Sequence, residues 1–402
     1  MISQRFESGG QPVFILSCVR SGSTLLRCII DTHPVFCSPG HLNLGVLCSN
    51  LYMTVYYSLG KLPGVETNKQ REMLAAEETR KVVSDLLNRY ALGKDKKKWC
   101  EKSTANIDFV DILYKIFPDA KFICLYRNSL DVAYSCIKFS ALGYMDALTP
   151  YVKKYPTNLV EAMLNIWLDK TKKLIDFEQT YSDQCIRVNY ESLVYRPEQT
   201  VGELFKFLGE EWDKSLLELI FKSPHDQGEG DLKVWFSDSI DSDSVGKGTA
   251  MPFAAIPEDL MKEVNDIHRY LGYPTLEELY AEQHREETDQ QIQDLDINGF
   301  FNRRLSQLTD RAHKSDYVWR GRCRFLISGI RGGEWLIESN SDGVKIIDND
   351  NSSDCVISVA YRVLCELISG KKSPVQAYEN GEIIGGGNLI MALELGSMIF
   401  AD

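Results

Sequence analysis

The chain has 402 residues, a formal net charge of −12 and 44% hydrophobic residues, enough for two or three domains with buried cores. The acidic balance argues against nucleic acid and long polyanions as partners. No stretch of about 18 apolar residues offers a membrane span, and Met1-Ile2-Ser3-Gln4-Arg5-Phe6-Glu7 lacks the apolar core of a signal segment. Eleven cysteines, an odd number without a CxxC pair, support neither a zinc site nor a disulfide framework. A reducing, cytoplasmic location is expected.

Val13 to Cys18 is an apolar run of strand type. Val19 to Ser23 brings Arg20, small hydroxyl side chains and Gly22. From Thr24, Leu25, Ile29 and Ile30 recur at helical spacing until His33-Pro34 stops the helix, with His33 reading as its cap. A strand, a tight small-residue loop and a helix N-terminus expose several backbone N–H groups in one direction, a geometry that binds phosphate or sulfate. The spacing is not the Gly-x4-Gly-Lys-Ser/Thr of ordinary P-loop nucleotidases.

The stretch 68–90 patterns as an amphipathic helix with Leu74, Val82, Val83, Leu86 and Leu87 on its buried side. Trp99-Cys100-Glu101-Lys102-Ser103 follows the charge run Lys94 to Lys98. Lys121 to Tyr126 is a second buried-strand run, and it leads into Arg127, with Asp131 and Ser135 on the helix after it. An Arg at a strand end and a Ser on the next helix can grip a phosphate from two sides; an ion pair of Arg127 with Asp131 is the plainer alternative. Tyr144 to Pro156 is rich in aromatics and suits either an acceptor entrance or packing. Ile186 to Leu193 brings a third strand and Tyr190, and a helix runs from Thr200 to Leu208, closed by Gly209. Ser242 to Gly248, with Ser244 and Lys247, suits a mobile anion-binding lid or a solvated loop.

The apolar runs at 13–18, 121–126 and 185–190, each followed by a helical pattern, predict an α/β domain over residues 10–280: a mostly parallel sheet with helices on both faces. Residues 281–314 read as an acidic, helical connector, with Glu282, Glu286, Glu287, Asp289, Asp294 and Asp296. Residues 315–402 read as a smaller α+β domain. It has short strands at 323–327, 334–338 and 343–347 joined by Gly332-Gly333 and Ser341-Asp342-Gly343 turns, helices at 359–368 and 389–400, and a Gly385-Gly386-Gly387 run.

The Arg-Ser-Gly-Ser-Thr loop resembles the 5′-phosphosulfate loop of the sulfotransferases that use 3′-phosphoadenosine-5′-phosphosulfate (PAPS). Arg stands for the lysine of the cytosolic members, as in the tyrosylprotein and many bacterial members. Arg127 to Ser135 resembles the family's 3′-phosphate motif, with Ser129 where proline is usual. Val188 to Leu193, with Pro197-Glu198 and Phe207-Leu208-Gly209, resembles the block whose tyrosine lies near the adenine. The Asp354-x-x-Ile357-Ser358, Gly370-Lys371, Pro374-x-x-Ala377-Tyr378-x-x-Gly381-x-Ile383 progression is similar to the sterol-carrier-protein (nonspecific lipid-transfer) domain.

The resemblance implies a P-loop-like sulfotransferase fold and transfer of a sulfuryl group from PAPS to an acceptor hydroxyl, leaving adenosine 3′,5′-bisphosphate, with no metal. It assigns Arg20, Ser21, Gly22, Ser23 and Thr24 to the 5′-phosphosulfate, Arg127 and Ser135 to the 3′-phosphate, Tyr190 to the base, and Ser244 and Lys247 to the closing loop. Lys102 matches the lysine that meets the leaving oxygen. In Cys37-Ser38-Pro39-Gly40-His41-Leu42, His41 stands where many relatives carry a catalytic glutamate, and histidine suits the task of general base. The expected acceptor is a small, apolar or amphiphilic, lipid-like hydroxyl compound; a homo-oligomer stays open. A P-loop kinase using ATP and magnesium, and a non-enzymatic lipid carrier, are the alternatives.

Overall fold

The computed structural model describes residues 10–59, 63–140, 146–156, 158–226, 237–251, 253–289, 296–312, 320–328, 332–340, 343–347, 352–379 and 382–400. Met1–Glu7, Tyr144, Asp294, Ser341, Asp342 and Gly381, named above, lie outside them. The first elements in chain order are β1 (Val13–Ser17), α1 (Ser23–Thr32), β2 (Phe36–Cys37), α2 (Leu44–Thr54), α3 (Asn68–Gly93), β3 (Lys98–Lys102) and α4 (Val110–Ile116). They are followed by β4 (Lys121–Tyr126), α5 (Ser129–Ser140), α6 (Thr149–Lys154), α7 (Leu159–Thr180), β5 (Cys185–Asn189), α8 (Tyr190–Tyr195) and α9 (Pro197–Leu208).

Strands β1 to β5 form one sheet in the order β2-β3-β1-β4-β5, every pairing parallel. Strands covered on both faces read as continuous apolar runs. Accordingly all five residues of β1 and five of the six in β4 are buried. Phe14 anchors this core, its ring centroid 5.6 Å from those of Trp99, Phe117 and Phe122. The fold class thus matches the expectation, with β2 and β3 added to the strands read from apolar runs. Parallel order fixes where chemistry can sit: ligands of open α/β sheets bind beyond the carboxyl ends of the strands. The 18–22 loop follows β1, Lys102 ends β3, Arg127 follows β4 and Tyr190 follows β5.

Helix α3 corrects the predicted amphipathic face. The buried residues are Ala75, Ala76, Thr79, Val83, Leu87 and Ala91, whereas Val82 and Leu86 are 54% and 53% exposed. The seam steps by fours from Ala75 through Thr79, Val83 and Leu87 to Ala91, so it keeps the predicted Val83 and Leu87 but is narrower than the stripe of large apolar residues that the sequence displays. Thr67 closes the N-terminus as a capping box with Gln70.

The chain divides into two compact units, Met1–Arg127 with Asp169–Asp243, and Asn128–Leu168 with Ser244–Asp402. The parallel sheet lies in the first. The second contains a separate five-stranded sheet in the order β10-β9-β6-β7-β8, built from β6 (Gly321–Ser328), β7 (Gly333–Asn340), β8 (Gly343–Ile347), β9 (Cys355–Ala360) and β10 (Ile383–Gly387). Its β6–β9 pair is parallel and the others antiparallel. Cys323, Phe325 and Ile327 alternate onto one face with Ile357 and Val359. There they join Phe301 of the helix Ile297–Ala312, Leu364 of the helix Tyr361–Ile368 and Leu395 of the helix Leu389–Phe400. The predicted Gly385–Gly387 run is part of β10.

In the second unit the Asp131 carboxylate, 2% exposed, accepts the backbone N–H groups of Gly246 at 2.9 Å and Gly248 at 2.8 Å. A Cβ at Gly248 would lie 2.2 Å from the carbonyl carbon of Leu130, and backbone cannot swing aside. Gly248→Ala is therefore expected to cost about 3 kcal/mol, the upper end for overpacking. Denaturant titration checks this, and an unshifted midpoint would contradict so close an approach.

Candidate anion-binding and catalytic site

The loop after β1 is shaped by two left-handed residues, Arg20 (φ 64) and Gly22 (φ 88). Left-handed conformations at alternate positions turn successive N–H groups toward one concavity, here at the N-terminus of α1, whose first turn carries no acidic side chain to meet the dipole. A non-glycine residue in this region is held there at a cost of order 1 kcal/mol, so something else must fix it. The Arg127 guanidinium does so, donating from Nη1 to the Arg20 carbonyl at 2.9 Å. That guanidinium also lies 4.2 Å from the centroid of the Tyr190 ring, a cation–π contact. A Cβ at Gly22 would meet Tyr190 Cδ2 at 2.3 Å, so only glycine satisfies both the φ and the approach.

Ser21 is 1% exposed, and its Oγ has no hydrogen-bond partner among the described residues; the same holds for Ser17 Oγ. Buried hydroxyls are nearly always paired, and an orphan in a left-handed loop at a helix N-terminus is what an anion would satisfy. Lys102, 4% exposed, ends β3 at the same edge. Burial, reinforced by the nearby cations Arg27 and Arg20, pushes its pKa down to about 8, against the pull of Glu101 and Cys28. An oxyanion placed there would restore the lysine's full charge. These features fit an anionic group such as a phosphate or sulfate.

Three buried or hydrogen-bonded residues beside these positions were assigned no role in the sequence reading. Arg27, 3% exposed inside α1, donates from Nη1 to the Ser38 carbonyl at 2.9 Å and from Nη2 to the Asp226 carbonyl at 3.0 Å. An arginine on the apolar face of a helix was the available signal. Ser38 is also tied through its N–H to Asp31 at 2.7 Å and through Oγ to the Cys100 carbonyl at 2.7 Å, so the segment leading to His41 is pinned. Glu101, fully buried, takes hydrogen bonds from Ser103 and Asn106. Burial nevertheless raises its pKa against the lowering effect of those bonds, of the Leu42 backbone N–H and of Lys102. The third is Asn43, whose Oδ1 lies 3.0 Å from Nε2 of half-buried His41. His33 caps α1 as expected: its Nε2 lies 2.8 Å from the Glu211 carbonyl and its Nδ1 accepts the Val35 N–H at 3.2 Å.

One unit thus gathers Arg20, Ser21, Gly22, Ser23, Thr24, Lys102, Arg127, Tyr190 and His41. Tyr190 starts a helix rather than ending a strand. Ser135, half-buried on α5, half-buried Ser244 and exposed Lys247 belong to the other unit. In the loop that was read as a mobile anion-binding lid or a solvated loop, the N–H groups of Gly246 and Gly248 donate to Asp131.

The family model described as the sulfotransferase family matches residues 12–214, and the chain belongs to that family. Protein-tyrosine sulfotransferase 1 of Danio rerio is 26% identical over 230 residues, 52% of this chain and 57% of its own length; the chain thus spans little more than half of that curated relative. The solved Sulfotransferase Domain from the Synechococcus PCC 7002 Olefin Synthase is 22% identical, covering 68% of this chain and 98% of that one with a TM-score of 0.48. Sterol Carrier Protein 2 Like 2 from Aedes aegypti, 20% identical, covers 25% of this chain and 97% of its own with a TM-score of 0.21. Among the described residues no helix is long and apolar enough to cross a membrane.

Proposed function

We propose that the chain transfers a sulfuryl group from PAPS to a hydroxyl of a small, apolar or amphiphilic acceptor and releases adenosine 3′,5′-bisphosphate. The observation that carries this reading is the left-handed Arg20–Gly22 loop, with its orphaned Ser21 hydroxyl beside the buried, charge-depressed Lys102. Arg20 and the N–H groups of Ser21 to Thr24 hold the phosphosulfate. Arg127 and Tyr190 hold the nucleotide, and family resemblance adds Ser135, Ser244 and Lys247 to that list. As the acceptor oxygen bonds to sulfur, the bond from sulfur to the bridging oxygen breaks. His41 takes the hydroxyl proton, and Lys102 meets the charge left on the departing phosphate oxygen.

His41→Ala is expected to lower turnover about a hundredfold or more, the low end for a lost general base, with unchanged affinity for adenosine 3′,5′-bisphosphate. Full turnover with intact binding would reject the assignment. The decisive assay follows label from PAPS into a panel of alcohols. Turnover that needs ATP and magnesium, and stops in EDTA, would favour a kinase; absence of nucleotide release with every alcohol would favour a carrier. The division at 10–280, 281–314 and 315–402, the last as a carrier of apolar acceptor, belongs to the same proposal. So does a reducing cytoplasmic location, supported by eleven cysteines that form no disulfide.

A further inference from the structure

We propose that Asn43 is the positioning residue of the His41 imidazole: its Oδ1 accepts the Nε2 proton and leaves the lone pair, and with it the base function, on Nδ1. This rests on the reading of His41 as the general base. Asn43 occupies the cap position of α2, where asparagine ordinarily turns its side chain to the first-turn N–H groups. It makes no such bond; its Oδ1 lies 3.0 Å from His41 Nε2 instead. The vacated capping task falls to another residue, since the Gly45 N–H donates to Asn106 Oδ1 at 2.9 Å.

The backbone explains the diversion. Asn43 is held at φ 51, ψ 44, a left-handed conformation that asparagine tolerates better than most residues and that points its side chain away from the helix. Its N–H donates to Ser103 Oγ at 2.9 Å, and Ser103 in turn donates to buried Glu101. The partner of the imidazole is thereby fastened to the end of β3, next to Lys102. A carboxamide oxygen only accepts, so the ring nitrogen facing it carries the hydrogen and the other nitrogen of the neutral ring carries the lone pair.

In the transfer, the acceptor oxygen bonds to sulfur, the bond from sulfur to its bridging oxygen breaks, and the hydroxyl proton passes to Nδ1. The imidazolium so formed keeps its Nε2–H on Asn43 Oδ1, a bond strengthened by the new charge. Ionisable groups on the elements around this segment include Arg27 and Asp31 on α1, His225 paired with Asp31 at 2.5 Å, Glu101 and Lys102 on β3, Asp108 paired with Lys170 at 2.5 Å and Lys173 at 2.8 Å, and Asp111 and Lys115 on α4. All are left unchanged by the test.

Two variants of the full chain decide the matter. Asn43→Gly removes the side chain while glycine keeps the left-handed backbone without strain, and Asn43→Asp places a carboxylate against Nε2. The glycine variant should lose about tenfold or more in kcat, as an unoriented base does, with affinity for adenosine 3′,5′-bisphosphate and melting temperature retained. The aspartate variant should move the acid limb of the kcat–pH profile up by about one unit, since a neighbouring carboxylate favours the imidazolium. In protein labelled with 15N-histidine, the His41 resonances, identified by their loss in His41→Ala, should report the Nε2–H tautomer, and Asn43→Gly should give a mixture. An Nδ1–H tautomer in the wild type, or a glycine variant with unaltered kcat and pH profile, overturns the proposal. If His41→Ala keeps full turnover, the base reading fails and the positioning role falls with it. If His41→Ala is crippled while Asn43→Gly is not, the base reading stands and only the role of Asn43 is lost.

Discussion

Replacing Arg127 by methionine should weaken binding of adenosine 3′,5′-bisphosphate about a hundredfold or more. A forked guanidinium–phosphate contact comprises two charge-assisted hydrogen bonds, each worth at least about 1.5 kcal/mol, and every 1.4 kcal/mol is a factor of ten. Arg127 is 6% exposed, so little water screens the contact. The loss has a second source: without the Nη1 bond to the Arg20 carbonyl, the left-handed turn at Arg20 lacks the clamp that holds it. Arg127→Lys should recover only a small part, because an ammonium on a flexible stem cannot reproduce the fork or lie flat on the Tyr190 ring. Calorimetric titration measures both variants. Wild-type affinity in Arg127→Met would remove the nucleotide from this end of the sheet.

Lys102→Met should lower turnover by about a hundredfold to a thousandfold, the usual cost of deleting one preorganised donor to a developing charge, and at neutral pH it should also raise the melting temperature. The pKa of Lys102 is pushed down to about 8 in the folded chain, from 10.5. Below pH 8 both folded and unfolded chains carry the proton, so the full penalty of burying the charge is present. Between pH 8 and 10.5 the folded chain sheds the proton while the unfolded chain keeps it, and wild-type stability rises with pH. The advantage of Lys102→Met should accordingly be largest near pH 7 and shrink above pH 8. In the wild type, binding of adenosine 3′,5′-bisphosphate should draw protons onto Lys102 near and above pH 8 and weaken as pH rises. Thermal melts across pH, and calorimetry in buffers of different ionisation enthalpy, test the two halves separately. A methionine variant that melts lower than wild type at pH 7 would show that the lysine is not strained.

The sheet was legible because strands covered on both faces must be continuously apolar, and β1 and β4 are. The tight turn after β1 was legible because glycine and small hydroxyls between a strand and a helix suit a left-handed loop; its use for an anion stays part of the proposal. Contacts that join distant segments left no such trace. Arg27 looks like an interruption of an amphipathic helix until its two carbonyl partners, 11 and 199 residues away, are known. Asp131 sits four residues after Arg127, and the sequence offered it nothing beyond a bland ion pair there; its carboxylate accepts amides 115 and 117 residues further on. In α3 the predicted Val83 and Leu87 are buried, but Ala75, Ala76, Thr79 and Ala91 complete the seam and Val82 and Leu86 stay exposed, because close packing is decided by shape as well as hydrophobicity. His41 could be read as a candidate base from its neighbours Ser38 and Pro39. What orients it is a cap residue that does not cap.

The bond from Arg127 to the Arg20 carbonyl has a consequence for how inhibitors should be assembled. On the proposed reading, Arg127 steadies the turn assigned to one terminus of the nucleotide while it is itself assigned to the other. Under that proposal occupancy of either terminus prepares its counterpart, and the two halves of the ligand do not contribute independently to affinity. A fragment carrying only the ribose phosphate, or only the sulfate mimic, should bind feebly, and a compound joining both should exceed the sum of the separate free energies.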